Sequence, residues 1–322
     1  MTTRRNFLKN TTMLAAGLGV SPLLSSSPLR SYQKEEVING KVRIAVIGVG
    51  MGCRDLQGAL TDNPWVHCVG MCDVNKVRLE EQLARFKKDF PEQTVSIKAY
   101  TDFREVLANK EIDGVIIATP DHWHPYIFAE ALKAGKAIYV EKPVGNSISE
   151  CNAMMDFQKK YKGVVTTGLW QTSQRYFRAA NEILKSGVLG DVYKVQLWLC
   201  QSTNPRPSVE DSEAPSTLDY DMWLGPAPER PFNNSRFRGW RGFWDYGGGQ
   251  QTDWGVHWID SAFDGLKALG LCDREYPDAV FSTAYKDPAS FNETPSCQTS
   301  IFQYKNFHIE WAQQVAYLYN RN

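Results

Sequence analysis

Val42-Arg43-Ile44-Ala45-Val46-Ile47, followed by Gly48-Val49-Gly50-Met51-Gly52-Cys53, is the stretch on which the fold turns. A short β-branched apolar run that stops at a glycine predicts a buried strand ending in a tight turn. The turn matches the G-x-G-x-x-G fingerprint of dinucleotide-binding loops, except that Cys53 stands at the third glycine. A small residue there still permits close helix–strand packing, and the first two glycines let the backbone approach a pyrophosphate at a helix N-terminus. The context agrees. A helix is expected over 54–61, and a second apolar run, 65–72, ends in Asp73. Asp73 lies twenty-five residues past Gly48, near the spacing of about 20 at which an acid meets the ribose hydroxyls. Its charge would repel a 2′-phosphate, so NAD is expected in preference to NADP, with Gly48, Gly50, Met51, Gly52, Cys53 and Asp73 as cofactor-binding residues.

Outward from this loop the rhythm persists. Helices are expected over 75–88, 103–108, 125–134 and 149–161, and strands over 96–100, 114–119, 137–140 and 164–168. Apolar strands alternating with helices predict a doubly wound parallel sheet. The fourth strand runs into Thr119-Pro120-Asp121-His122-Trp123-His124 and the fifth into Glu141-Lys142-Pro143. Ligands bind at the carboxyl ends of such strands, so Thr119, Pro120, His124, Glu141 and Lys142 join the candidate cofactor residues. Beyond residue 168 the pattern changes. A helix over 175–185, an alternating strand over 192–201, a polar loop over 202–216, a helix over 250–268 and strands over 279–316 predict an α+β domain with an open, mainly antiparallel sheet. The expected organisation is a leader and linker over 1–35, a Rossmann domain over 36–168 and a substrate-binding, catalytic domain over 169–322. Strand-like sequence runs up to Asn322, which suggests that the native chain continues.

Composition narrows the function. Thirty-six basic and thirty-six acidic residues balance, which argues against a nucleic-acid partner. No apolar run beyond the N-terminus is long enough to span a bilayer. Ten tryptophans suit a pocket that stacks on rings. Seven cysteines are scattered with no C-x-x-C pair, so neither a zinc site nor a disulfide framework is expected. At the N-terminus, Arg4-Arg5-Asn6-Phe7-Leu8-Lys9 precedes a short apolar stretch over 11–24. This resembles a twin-arginine export signal and implies an exported, periplasmic protein that folds before it leaves the reducing cytoplasm.

The second half carries its own constellation. Gly247-Gly248-Gly249 leads into a predicted helix on which Asp253 and His257 are four apart and share a face. Histidine is the natural base for taking a proton from an alcohol near neutral pH, and a neighbouring carboxylate can orient the ring. No convincing third ligand accompanies the pair, so no metal is expected. Trp170, Gln171, Arg175, Trp240 and Trp244 are candidate substrate contacts: aromatic faces for sugar C–H surfaces, polar groups for hydroxyls.

Taken in order, the first strand and glycine loop, Ala118-Thr119-Pro120 with His124, Glu141-Lys142-Pro143, and Gly249 with Asp253, His257 and Asp260 resemble the glucose–fructose oxidoreductase, inositol dehydrogenase and rhizopine catabolism (Gfo/Idh/MocA) family over about residues 41–316. The resemblance implies Lys142, Asp253 and His257 as the catalytic group, and export to a compartment without a free NAD pool would suit a tightly held NAD. The resemblance also implies hydride transfer between the nicotinamide and a hydroxyl-bearing carbon of a sugar, glycoside or polyol, and a homodimer or homotetramer. Two alternatives stay open. One is NAD-assisted glycoside cleavage, in which transient oxidation, elimination and re-reduction leave no net redox change. The other is a non-catalytic sugar- or nucleotide-binding protein.

Overall fold

The computed structural model describes residues 41–50, 63, 65–91, 96–201, 206–272 and 276–315. The leader, Met51, Gly52, Cys53 and the helix expected over 54–61 lie outside them. The described chain forms two compact units. The first takes in residues up to Thr166 together with Glu213–Phe232, and the second takes in Thr167–Ser212 and the chain from Asn233 onward.

The first unit is built on a six-stranded sheet. Its strands are β1 (Val42–Ile47), β2 (Val66–Cys72), β3 (Lys98–Tyr100), β4 (Gly114–Ile117), β5 (Ala137–Val140) and β6 (Val165–Thr167), in spatial order β3-β2-β1-β4-β5-β6. The β1–β2, β1–β4, β2–β3 and β4–β5 pairings are parallel. The order reverses between β1 and β4, which makes that edge the switch point where α/β sheets bind ligands. The all-apolar strands follow from burial on both faces. Side chains alternate along a strand. Accordingly Ile44 and Val46 enter one core with Cys68, Met71 and Phe86, while Ala45 and Ile47 enter the other with Val115, Ile117, Ile127 and Val140.

The helices α1 (Lys76–Asp89), α2 (Phe103–Ala108), α3 (His124–Lys133) and α4 (Ile148–Tyr161) cover these faces. Their starts are set by side chains that accept orphan backbone N–H groups. Asn75 caps α1, Asp102 caps α2, and Ser147 with Glu150 forms a capping box on α4. Buried Lys136 performs the opposite task, donating from Nζ to the carbonyls of Asn109 and Ile112, 2.5 and 2.7 Å away.

The segment 213–232 corrects the expected domain boundary. It was read with the second domain, yet it returns to the first unit. Lys76 N donates to the Thr217 carbonyl and Asp219 N to the Val74 carbonyl, at 2.9 and 3.0 Å. Its helix α5 (Tyr220–Leu224) presents the Trp223 carbonyl to His122 Nε2 and Trp123 Nε1, each at 3.0 Å.

The second unit carries α6 (Arg175–Lys185), β7 (Lys194–Gln201), α7 (Asn234–Arg238), α8 (Val256–Ala268), β8 (Ala279–Tyr285), β9 (Cys297–Gln303) and β10 (His308–Val315). The sheet order is β7-β10-β9-β8. β10 runs parallel to β7 and antiparallel to β9, and β8 pairs antiparallel with β9. One face packs Val195, Leu197, Phe302 and Ile309 against Ala262 and Leu266 of α8. On β7 the alternate residues Lys194, Gln196 and Trp198 are exposed, as expected for a sheet open on one side.

Candidate active site

At the switch point the turn after β1 is held by its neighbours. Gly48 adopts φ +88°, and a Cβ placed on it would fall 2.6 Å from the carbonyl carbon and oxygen of Ala118. Glycine is therefore required twice, by conformation and by close approach of the β4 exit. Gly48 N donates to the Cys72 carbonyl at 2.8 Å. Asp73 completes the clamp: Oδ2 accepts from Val49 N at 3.0 Å and Oδ1 from Asn75 N at 2.8 Å. Burial pushes the Asp73 carboxyl above its ordinary value, opposed by those two N–H groups and the Arg78 charge. Sequence reasoning missed Arg78. It stands in the first turn of α1, and its Nη1 comes to 3.6 Å from the Cβ position of Gly50. An arginine five residues after the acid was the available signal.

The ends of β4 and β5 supply the next group. Thr119 Oγ1 is buried with no hydrogen-bond partner, an unspent hydroxyl at the crevice where a dinucleotide would pass. That orphan and the close-packed glycine turn fit a nicotinamide dinucleotide. Pro120 opens the short 3-10 turn Asp121–Trp123. His124, expected to touch the cofactor, is 1% exposed. Its Nδ1 lies 2.7 Å from the Pro143 carbonyl and its Nε2 lies 2.9 Å from the Thr119 carbonyl. Its ring is spent on tying the β4 exit to the β5 exit. Glu141 is likewise turned onto its own strand end, accepting from Tyr139 Oη at 3.3 Å and from Lys142 N at 3.2 Å. Burial first, then the Glu141 carboxylate, drives the Tyr139 phenol upward. Lys142 is half-buried.

In the second unit the helix expected over 250–268 opens as a π-turn, Gln251–Gly255, and continues as α8. Such turns concentrate at functional sites. Gly255 lets the Trp311 ring pack closely, 3.2 Å from where a Cβ would be. Asp253 sits in the π-turn, and its Oδ1 accepts from Arg241 Nε at 3.1 Å. Arg241 is a second residue that sequence reasoning missed, since nothing local ties it to a residue twelve positions on. His257 is 3% exposed and bracketed by the edges of Trp170 and Trp254, with centroids 5.6 and 6.1 Å away.

The expected substrate contacts divide. Trp170 and Trp244 are 45% and 56% exposed, and Arg175 is exposed at the start of α6, so all three are accessible. Trp240 carries the Arg241 guanidinium on its ring, 4.3 Å from the centroid. Gln171 departs from expectation. It is 4% exposed, and its Oε1 lies 3.2 Å from Ser261 Oγ, whose hydroxyl also reaches the His257 carbonyl at 2.9 Å. Gln171 braces the histidine-bearing helix.

Two family descriptions match. Residues 42–169 match the oxidoreductase family's NAD-binding Rossmann fold, and residues 178–269 match its C-terminal alpha/beta domain. The chain belongs to the Gfo/Idh/MocA oxidoreductase family. Among curated proteins, an alpha-N-acetylgalactosaminidase of Tannerella forsythia is 33% identical over 163 residues, covering 46% of this chain and 34% of that protein. An inositol 2-dehydrogenase of Salmonella typhimurium is 24% identical over 151 residues, covering 46% and 43%. The matched stretch is thus about a third to two fifths of the length of such relatives. Among solved structures, the WlbA dehydrogenase of Bordetella pertussis, in complex with NADH and UDP-GlcNAcA, superposes with a TM-score of 0.64 at 16% identity, covering 86% of this chain and 74% of that one. This likeness shows the shared fold. Among the described residues no helix is long and apolar enough to cross a membrane.

Proposed function

We propose that this Gfo/Idh/MocA protein is an NAD-dependent oxidoreductase acting on a hydroxyl-bearing carbon of a sugar, glycoside or polyol. The observation that carries the reading is His257, buried between two tryptophan edges one turn after Asp253. Bound NAD would supply the hydride acceptor, held by Gly48, Gly50 and Thr119, with Asp73 on the adenosine ribose and Arg78 over the glycine turn. His257 takes the proton from the substrate hydroxyl. Asp253 stabilises the charge that the ring acquires, and Lys142 stabilises the alkoxide oxygen as the proton leaves. Trp170 and Trp244 offer faces for the sugar ring. Family resemblance supports the three catalytic roles, and the accessible or buried position of each side chain is compatible with them.

A second reading is favoured by the similarity to the Tannerella alpha-N-acetylgalactosaminidase and by glycosyl hydrolase family 109 relatives. The same proton abstraction would then start glycoside cleavage with no net nucleotide reduction. One experiment separates the two. Protein supplied with NAD is offered sugars, polyols and nitrophenyl glycosides while nicotinamide absorbance and aglycone release are followed. NADH accumulation supports the dehydrogenase, aglycone release without NADH supports the glycosidase, and neither signal across the panel contradicts both.

NAD over NADP is also our inference, and it rests on Asp73. Replacing Asp73 with serine should raise NADP affinity relative to NAD by about ten-fold or more, because like charges side by side cost several kcal/mol. The raised Asp73 carboxyl adds a pH signature. The ionised form accepts both ribose hydroxyls, so NAD affinity should fall as acidification protonates Asp73, and it should do so above the ordinary carboxylate range. The D73S variant should lose that dependence in the same titration. We further infer export by the twin-arginine route, from Arg4 and Arg5, which cell fractionation tests. The open sheet face bearing Trp198 supports pairing with a second copy, which light scattering tests.

A further inference from the structure

Three arginines of the second unit converge on one turn beside Asp253. The turn Trp240–Gly242 is a 3-10 helix capped by Gly239. Arg241 lies over the Trp240 ring and spends Nε on Asp253, and its side chain remains 45% exposed. Both of its Nη atoms are left for another acceptor. Arg206 lies against Gly239 from the other side, where a Cβ would fall 2.3 Å from the guanidinium carbon. Arg236 lies beside the edge-to-face pair Phe243 and Phe291, whose centroids are 5.2 Å apart, its guanidinium 5.7 and 5.6 Å from the ring centroids. Phe291 ties the group together, since its N–H donates to the Arg206 carbonyl at 2.8 Å.

The guanidinium groups here are incompletely hydrogen-bonded by the protein. From Asn233 to Asp245 the sequence has three arginines and a single acid, Asp245, at its end. Among the nearby acids, Asp253 is bonded to Arg241, Asp211 to Asn233 Nδ2 at 2.9 Å, and Glu293 to Trp244 N at 3.0 Å. Arg236 Nε and Nη1 and Arg206 Nε are buried with no hydrogen-bond partner. Arg206 Nη1 reaches the Ser235 carbonyl at 3.5 Å, but a sheltered guanidinium N–H without an acceptor is costly, and aromatic contact offsets only part of that cost. Guanidinium forks match planar or tetrahedral oxyanions.

We propose that the substrate carries an anionic group, a carboxylate or a sulfate ester, gripped by the Nη atoms of Arg241, with Arg206 and Arg236 supplying the surrounding positive field. Nε of Arg241 stays on Asp253, so the same side chain registers the anion against the reacting hydroxyl. This deepens the proposed function and rests on its assignment of Asp253 and His257 to the reacting end.

The test is calorimetric binding to the intact protein of three matched ligands: glucose, glucuronate and glucose 6-sulfate, and the same set for galactose. The expected result is that at least one anionic ligand binds about ten-fold or more tightly than its neutral parent, and that this preference weakens with salt. Uronate preference names a carboxylate, and sulfate preference names an ester. Arg241→Gln should abolish the preference and Arg241→Lys should retain part of it, with thermal melting confirming that both fold. Equal or tighter binding of the neutral parents, binding of none of the anionic ligands, or an undiminished preference in R241Q would overturn the proposal. Turnover of neutral sugars with no anionic preference would leave the proposed function standing and remove this inference. Arg241-dependent anion binding without turnover of any ligand would do the reverse.

Discussion

Replacing His257 with alanine lowers turnover by about 10²–10⁴-fold, the usual contribution of a positioned general base, and leaves NAD affinity unchanged. The site dictates both halves of this result. His257 is buried, with Trp170 and Trp254 set edgewise to its ring, so under the proposed mechanism its removal takes away the proton acceptor. The proposed cofactor residues Gly48, Thr119 and Asp73 belong to the other unit, so NAD affinity is expected to survive loss of the imidazole. His257→Gln keeps most of the side-chain volume and checks that a lost base, rather than a cavity, is responsible. Turnover within a few-fold of the parent in both variants would remove His257 from the mechanism.

Gly48→Ala abolishes NAD binding and destabilises the first unit. Two costs add. The left-handed φ of +88° penalises any side chain by roughly 1–2 kcal/mol. The new Cβ would also meet backbone, Ala118 C and O at 2.6 Å and Thr119 N at 2.7 Å, and none of these atoms can rotate aside. Forced overpacking of this kind costs about 1–3 kcal/mol. Gly135 provides the control. Its φ is +71° and nothing lies within 4 Å of its Cβ position, so Gly135→Ala pays the conformational cost alone. The difference in melting temperature between the two variants isolates the clash. Equal melting temperatures and intact NAD binding in G48A would show that the β1 turn is not the rigid cradle described.

What was legible in the sequence follows from where the burial is. β1, β2, β4 and β5 read clearly because each is mostly apolar on both faces, and Gly48 and Asp73 read clearly because they close β1 and β2. The sequence pattern also disclosed the open second sheet, through the alternation on β7. Other features were hidden for physical reasons. The return of 213–232 to the first unit depends on backbone bonds from Val74 and Lys76 to residues far along the chain, and no local period announces them. A π-turn at 251–255 carries no sequence signal that separates it from the helix it opens. His124 looked like a cofactor ligand because its motif lies at a strand end, but only the fold shows both ring nitrogens meeting backbone carbonyls. Gln171 looked like a hydroxyl binder and proves to be buried. Arg78 and Arg241 escaped notice because an arginine's reach is set by tertiary structure, not by spacing.

The most direct test of the central claim is a calorimetric titration of the purified protein, stripped of nucleotide, with NAD and with NADP. The account predicts one NAD per chain, bound more tightly than NADP, with the preference lost in the D73S variant. No binding of either nucleotide, or NADP bound more tightly than NAD by the parent protein, would contradict it.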